Sequence, residues 1–127
     1  MAYSSIALSP DGGGSWSLSQ VLPRQLATEL LMCGSRISAQ RLQELGVVNQ
    51  IGPSGTALQM ALALADRLNA RAPNALASAK TLTRQACAQG LNQQLDQERD
   101  HFVRNLHHAN AGIGIAAFLN KTTPTYQ

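Results

Sequence analysis

The chain has 127 residues, of which 13% are charged, and a net charge of +3. That length is enough to bury one core, and the absence of any Lys/Arg block argues against a surface that tracks a phosphate backbone while leaving an acidic small-molecule ligand compatible. Charge at about half the roughly 25% of ordinary globular domains predicts that much of the surface is covered by other protein.

In chain order, Tyr3–Leu8 and Val47–Ile51 are the only plausible strands. Two short strands so far apart make a poor sheet, so they are expected either to pair with material outside this sequence or to give way to an all-helical chain. Between them lies the most informative stretch, Ser9-Pro10-Asp11-Gly12-Gly13-Gly14-Ser15-Trp16. Proline fixes one backbone angle, and the glycines permit conformations closed to other residues. The turn feeds a short helix over 15–22 that Pro23 ends. A glycine turn opening a helix leaves amide groups unpaired and lets a ligand approach the main chain, here at Gly12, Gly13, Gly14 and Trp16. Asp11 stands at its mouth. By spacing alone Asp11 reads as a turn cap, with proton chemistry as the alternative.

Leu26 and Leu30, with Ala27 and Leu31, recur four apart and predict a helix over 23–33 that Gly34 ends. Ser38 caps a second helix over 39–45, stopped by Gly46. Thr56 and Gln59 have capping-box spacing and open an apolar helix to about Arg71. Its Leu58, Met60, Leu62, Leu64 and Leu68 predict burial on several sides. Pro73 and Asn74 restart the chain into an alanine-rich helix ending near Gly90. Leu91, Leu95, Phe102 and Leu106 then share one face of a helix reaching about His107, opposite a solvated face of Asp96, Arg99, Asp100 and Arg104. The last helix, 110–121, turns Ile113, Ala116, Ala117 and Phe118 inward.

Cys33 and Cys87 lack metal-ligand or disulfide spacing and read as buried thiols. His101 and His108 have no carboxylate at clear ligand spacing, so no metal site is expected, and Glu98 with His101 reads as a helix pair. No Ser-His-Asp arrangement or phosphate-loop motif appears. No signal peptide or apolar run of membrane length is found, and the expected compartment is the cytoplasm.

Ser9 to Trp16 resembles the crotonase (enoyl-CoA hydratase/isomerase) superfamily. The resemblance continues through Leu22-Pro23-Arg24, then Ala27-Thr28-Glu29-Leu30-Leu31-Met32-Cys33-Gly34-Ser35-Arg36-Ile37-Ser38-Ala39. It is carried on by Leu45-Gly46-Val47-Val48-Asn49, Ala72-Pro73-Asn74-Ala75-Leu76 with Lys80, and Gly114-Ile115-Ala116-Ala117-Phe118-Leu119-Asn120-Lys121. It runs in order along nearly the whole chain but covers only the C-terminal half of such an enzyme, so Met1 falls where the family is in mid-chain.

The resemblance implies a mostly α fold, the helical C-terminal portion of a crotonase-type enzyme with one or two short strands. Residues 1–55 would end the core, and 56–127 would form the helical trimerisation and lid region. It implies an acyl-CoA thioester substrate of fatty-acid or aromatic breakdown, CoA arriving as part of the substrate with no separate cofactor, and a homo-oligomer. Family enzymes stabilise an enolate with two backbone N–H groups, which lie in the half this chain lacks.

Hydratases of the family carry a glutamate seven residues before the proline of this turn, where this sequence has Tyr3. Relatives of the epoxyphenylacetyl-CoA isomerase type use an aspartate after the proline, matched here by Asp11. In an apolar acyl pocket a carboxylate holds its proton more tightly, which suits a proton shuttle. The resemblance further places Phe118 and Lys121 near the CoA nucleotide; the usual Lys-Arg pair is Lys121-Thr122 here. For Lys121 the plain alternative is a cation at a helix C-terminus. The expectation is therefore an isomerase or hydratase fragment inactive alone, with a non-catalytic helical interaction protein as its rival.

Overall fold

The computed structural model describes residues 3–127; Met1 and its expected mid-chain position lie outside the described residues. Among the described residues a 3-10 turn, Ser4–Ile6, precedes seven helices: α1 Gly14–Val21, α2 Arg24–Cys33, α3 Ala39–Glu44, α4 Ala57–Asn69, α5 Pro73–Ala86, α6 Leu91–Leu106 and α7 Ala109–Asn120. No strand occurs among the described residues, which corrects both strand expectations. Tyr3–Leu8 winds into the 3-10 turn and ends on Ala7 at φ +60°. Val47–Ile51 stays irregular because a strand is stable only beside a partner edge, and no described segment supplies one.

Helix boundaries follow local chemistry. The Ser38 hydroxyl accepts from the Arg41 amide at 3.1 Å and starts α3. Gly34, at φ +66°, ends α2 in the left-handed conformation that glycine adopts without strain. Pro73 opens α5 at the position where a missing N–H costs nothing. That helix stops at Ala86, short of Gly90.

The chain forms two compact units that meet at Ala57 and Leu58 in the sequence. The first holds an apolar core: Leu22, Ala27 and Leu30 are buried, with Leu18, Leu26, Ile37, Leu42, Leu45 and Val47 packed against them. Its stripe is the one that the four-residue repeat of α2 predicts.

The second unit inverts expectation. α4 buries none of its residues, and Leu58 is 70% exposed. Leu91, Leu95, Phe102 and Leu106 of α6 are likewise exposed, as are Ala116 and Phe118 of α7; Ala117 alone of the predicted inward set is fully buried. Apolar periodicity reports which face seeks cover, and here nothing within the unit supplies it.

Beside Ala117, what the second unit encloses is polar. Asn110 is 2% exposed. Its Nδ2 donates to Asn74 Oδ1 at 2.9 Å and to the Gln127 carbonyl at 3.0 Å, while the Gln127 amide donates back to Oδ1 at 3.2 Å. Asn74 Nδ2 donates to Asn105 Oδ1 at 2.8 Å, and Asn105 Nδ2 to Ser78 Oγ at 2.9 Å. His101 Nδ1 lies 3.0 Å from the same hydroxyl. α5, α6, α7 and the tail are thus tied by directional bonds.

Candidate functional site

The candidate site is built on the turn that joins the 3-10 segment to α1. Gly12 and Gly13 take φ +56° and +80°, and a Cβ at either would meet nothing within 4 Å, so backbone conformation rather than crowding calls for glycine there. Gly14 is the first residue of α1 and needs no such freedom. The Gly14 amide donates to the Asp11 carbonyl at 3.0 Å and closes the turn. No side chain caps α1. Trp16, within the first turn of the helix, is 69% exposed.

Asp11 is exposed in this chain, with no apolar pocket around it. Its Oδ1 accepts a hydrogen bond of 2.7 Å from the Tyr3 hydroxyl. The bond and the negative charge of Asp11 hold the Tyr3 phenol above its usual value. Tyr3, where the resemblance led one to look for a hydratase glutamate, was not paired with Asp11 by sequence reasoning. The eight-residue spacing belongs to neither helix nor strand; the left-handed Ala7 and the glycine turn fold the chain back.

Lys121 and Phe118 belong to the second unit. Phe118 is 84% exposed, against the inward orientation expected of it. Lys121 closes α7 at φ +54°, where the Lys121 amide donates to the Phe118 carbonyl at 3.3 Å and the Thr122 amide to the Ala117 carbonyl at 2.9 Å. This is a Schellman closure with lysine where glycine is usual. An aromatic ring and an ammonium group thus end the same helix in the open.

The remaining candidates resolve simply. Cys33, the last residue of α2, and Cys87, just past the end of α5, are exposed, not buried as expected. Glu98 Oε1 accepts from Gln94 at 3.1 Å and His101 turns to Ser78, so the expected Glu98–His101 pair gives way to two other partnerships. Arg99 bridges Asp96 at 2.9 Å and Asp100 at 2.8 Å on the solvated face of α6. Among the described residues no group of three or more His, Cys, Asp or Glu is placed to hold a metal, and no helix is long and apolar enough to cross a membrane.

Comparison with known proteins places this geometry. A family model described as enoyl-CoA hydratase/isomerase matches residues 2–127. The chain is 34% identical over 122 residues to 2,3-dehydroadipyl-CoA hydratase of Escherichia coli (strain K12), covering 96% of this chain and 48% of that one. It is 33% identical over 126 residues to 1,2-epoxyphenylacetyl-CoA isomerase of the same strain, covering 99% and 48%. The crystal structure of an enoyl-CoA hydratase from Polaromonas sp. JS666 superposes with a TM-score of 0.94 at 64% identity, over 100% of this chain and 49% of that one. The chain spans about half the length of the curated relatives it matches.

Proposed function

The chain belongs to the enoyl-CoA hydratase/isomerase family, and on that premise we propose that it is the C-terminal portion of an acyl-CoA isomerase or hydratase in which Asp11 moves a proton on an enolate-stabilised thioester. The observation that carries this reading is Asp11 itself: its main chain is closed by the Gly14 amide, and its carboxylate stands exposed at the mouth of the turn. A base at that place takes a proton from the carbon next to the thioester and returns it two carbons further along, which is isomerisation. Gly12, Gly13, Gly14 and Trp16 are the proposed wall for the acyl group; separately, Phe118 and Lys121 of the second unit are the proposed contacts of a CoA nucleotide in the assembled enzyme, whichever copy of the chain supplies its acyl site.

The surface supports incompleteness. The chain exposes 9940 Å². A globule of its mass exposes roughly 6,500 Å², and even two separate globules of half that mass roughly 7,900 Å². The excess over the second figure, roughly 2,000 Å², is the share one partner contributes to a large obligate interface. The N-terminal half of the fold and further copies of the chain are the proposed cover, with the apolar faces of α4, α6 and α7 as the contact. Because the enolate-stabilising amides belong to that absent half, low or no turnover is expected of this chain alone; turnover comparable to an ordinary enzyme overturns that part of the reading.

The test is a calorimetric titration with a short enoyl-CoA, run beside Asp11→Asn and Lys121→Ala. Saturable heat weakened by Lys121→Ala supports a surviving half-site. No heat at millimolar ligand favours the second reading, a non-catalytic oligomerising protein, to which the exposed leucines of α4 already lend support.

A further inference from the structure

The Tyr3–Asp11 pair is built from both ends. The Ile6 amide, at 3.1 Å, and the Leu8 amide, at 2.9 Å, both donate to the Tyr3 carbonyl and pin the main chain from which the phenol projects. Ala7 takes φ +60° within that clasp, a conformation that non-glycine residues adopt only when their surroundings demand it. On the other side, Gly12 and Gly13 turn the chain and the Gly14 amide holds the Asp11 carbonyl at 3.0 Å. The side chains then meet at 2.7 Å, within the short range of a charge-assisted O–H···O⁻ bond.

A carboxylate rotates about a broad, nearly two-fold torsion and by itself presents either oxygen to a substrate. One donor on one oxygen breaks that symmetry. We propose that Tyr3 is the positioning residue for Asp11: its phenol ties down Oδ1 and leaves Oδ2 as the atom that takes and returns the proton. This rests on the reading of Asp11 as the proton-transfer group. In the isomerisation, the Oδ2 lone pair takes the proton from the carbon beside the thioester, and the C–H electrons pass into the enolate. The same proton then goes from Oδ2 to the carbon two further along, which restores the carboxylate. Tyr3 keeps its own proton throughout.

The chemistry of the phenol agrees with positioning rather than acid catalysis. An ordinary tyrosine is ionised in fewer than about one molecule in a thousand at pH 7, and Asp11 raises the Tyr3 value further. A group that holds its proton so firmly is a dependable donor and a poor acid. A neutral phenol orients the carboxylate without placing a second negative charge beside it.

The experiment uses the full chain with ring-labelled (13Cζ) tyrosine in a Tyr126→Phe background, which leaves Tyr3 as the single tyrosine signal. Three readings are taken: the Tyr3 titration curve, the same curve with Asp11→Asn, and the Tyr3 resonance at pH 7 as a short enoyl-CoA is added, with heat of binding measured in parallel. The expected result is a titration midpoint above the usual 10.0 that falls toward it in Asp11→Asn, and a Tyr3 resonance that moves with ligand occupancy.

A midpoint indifferent to Asp11→Asn overturns the pairing whatever the ligand does. Heat of binding with a motionless Tyr3 resonance overturns the positioning role and leaves the assignment of the half-site standing. No heat at all brings down the functional reading, and this proposal with it; the calorimeter distinguishes that failure from the other two.

Discussion

The two units solve the problem of internal order in opposite ways. The unit ending at Ala57 buries Leu22, Ala27 and Leu30 and surrounds them with half-buried aliphatics. The unit beginning at Leu58 buries an amide, Asn110, and turns Phe102, Leu106 and Phe118 to the outside. Hydrophobic burial is non-directional and proportional to area, so it stabilises any arrangement that hides the leucines. Amide hydrogen bonds are directional, and each buried group demands a particular partner. The first unit is therefore held by its own core. The second has its helix register specified by Asn74, Asn105 and Asn110, and its apolar area remains available to whatever covers it.

That contrast breaks most sharply at Leu30. Leu30→Ala is expected to cost about 3 kcal/mol, because the cavity opens inside the only apolar core cluster found among the described residues. Leu62→Ser, on the exposed face of α4, is expected to change the stability of the isolated chain by less than about 0.5 kcal/mol although it too removes a leucine. Urea midpoints of the two variants decide it; equal losses mean that α4 is covered even in the isolated chain.

Asn110→Ala sharpens the other half of the comparison. It removes the two bonds between Asn110 and Gln127 and leaves the Asn74 carbonyl oxygen without its donor, for an expected loss of about 2 kcal/mol. Hydrogen exchange is expected to show the loss in α5 and α7 rather than in α2; uniform loss through the chain ends the idea that the units are ordered separately.

Smaller effects test single positions. Lys121→Gly relieves a left-handed lysine and is expected to stabilise α7 by about 1 kcal/mol in thermal unfolding while weakening the binding of enoyl-CoA. Opposite signs in the two measurements identify Lys121 as a residue kept at a cost in stability. Smallest is the pH effect of Tyr3. Its value is raised in the folded chain, so its contribution is fully present below the usual 10.0 and is lost as pH rises through the higher folded value. Urea midpoints of the chain and of Tyr3→Phe are expected to converge above that range. The difference is slight because the bond is open to solvent, which screens it.

Much of the helix inventory was legible because its signals are local. Ser38 caps with its own hydroxyl, Gly34 and Gly46 stop helices through their freedom at positive φ, and Pro73 starts one by lacking a donor. Burial was legible only where the unit supplied both sides of the contact, as at Ala27 and Leu30. For α4 and α6 the period marked a face seeking cover, but whether cover exists is a property of the assembly. The amide chain was missed because Asn74, Asn105 and Asn110 look like surface residues one at a time; their one hint was the placement of asparagines inside otherwise apolar helical patterns.

In the candidate site, residue identity was enough to name the chemical types: a carboxylate after a proline, glycines that permit a left-handed turn, an aromatic and a cation ending the last helix. Those depend on residue identity and nearest-neighbour sterics. That Tyr3 reaches Asp11 became visible in the folded chain alone. That contact runs through a left-handed alanine, which local propensity disfavours and which the surrounding fold alone can impose.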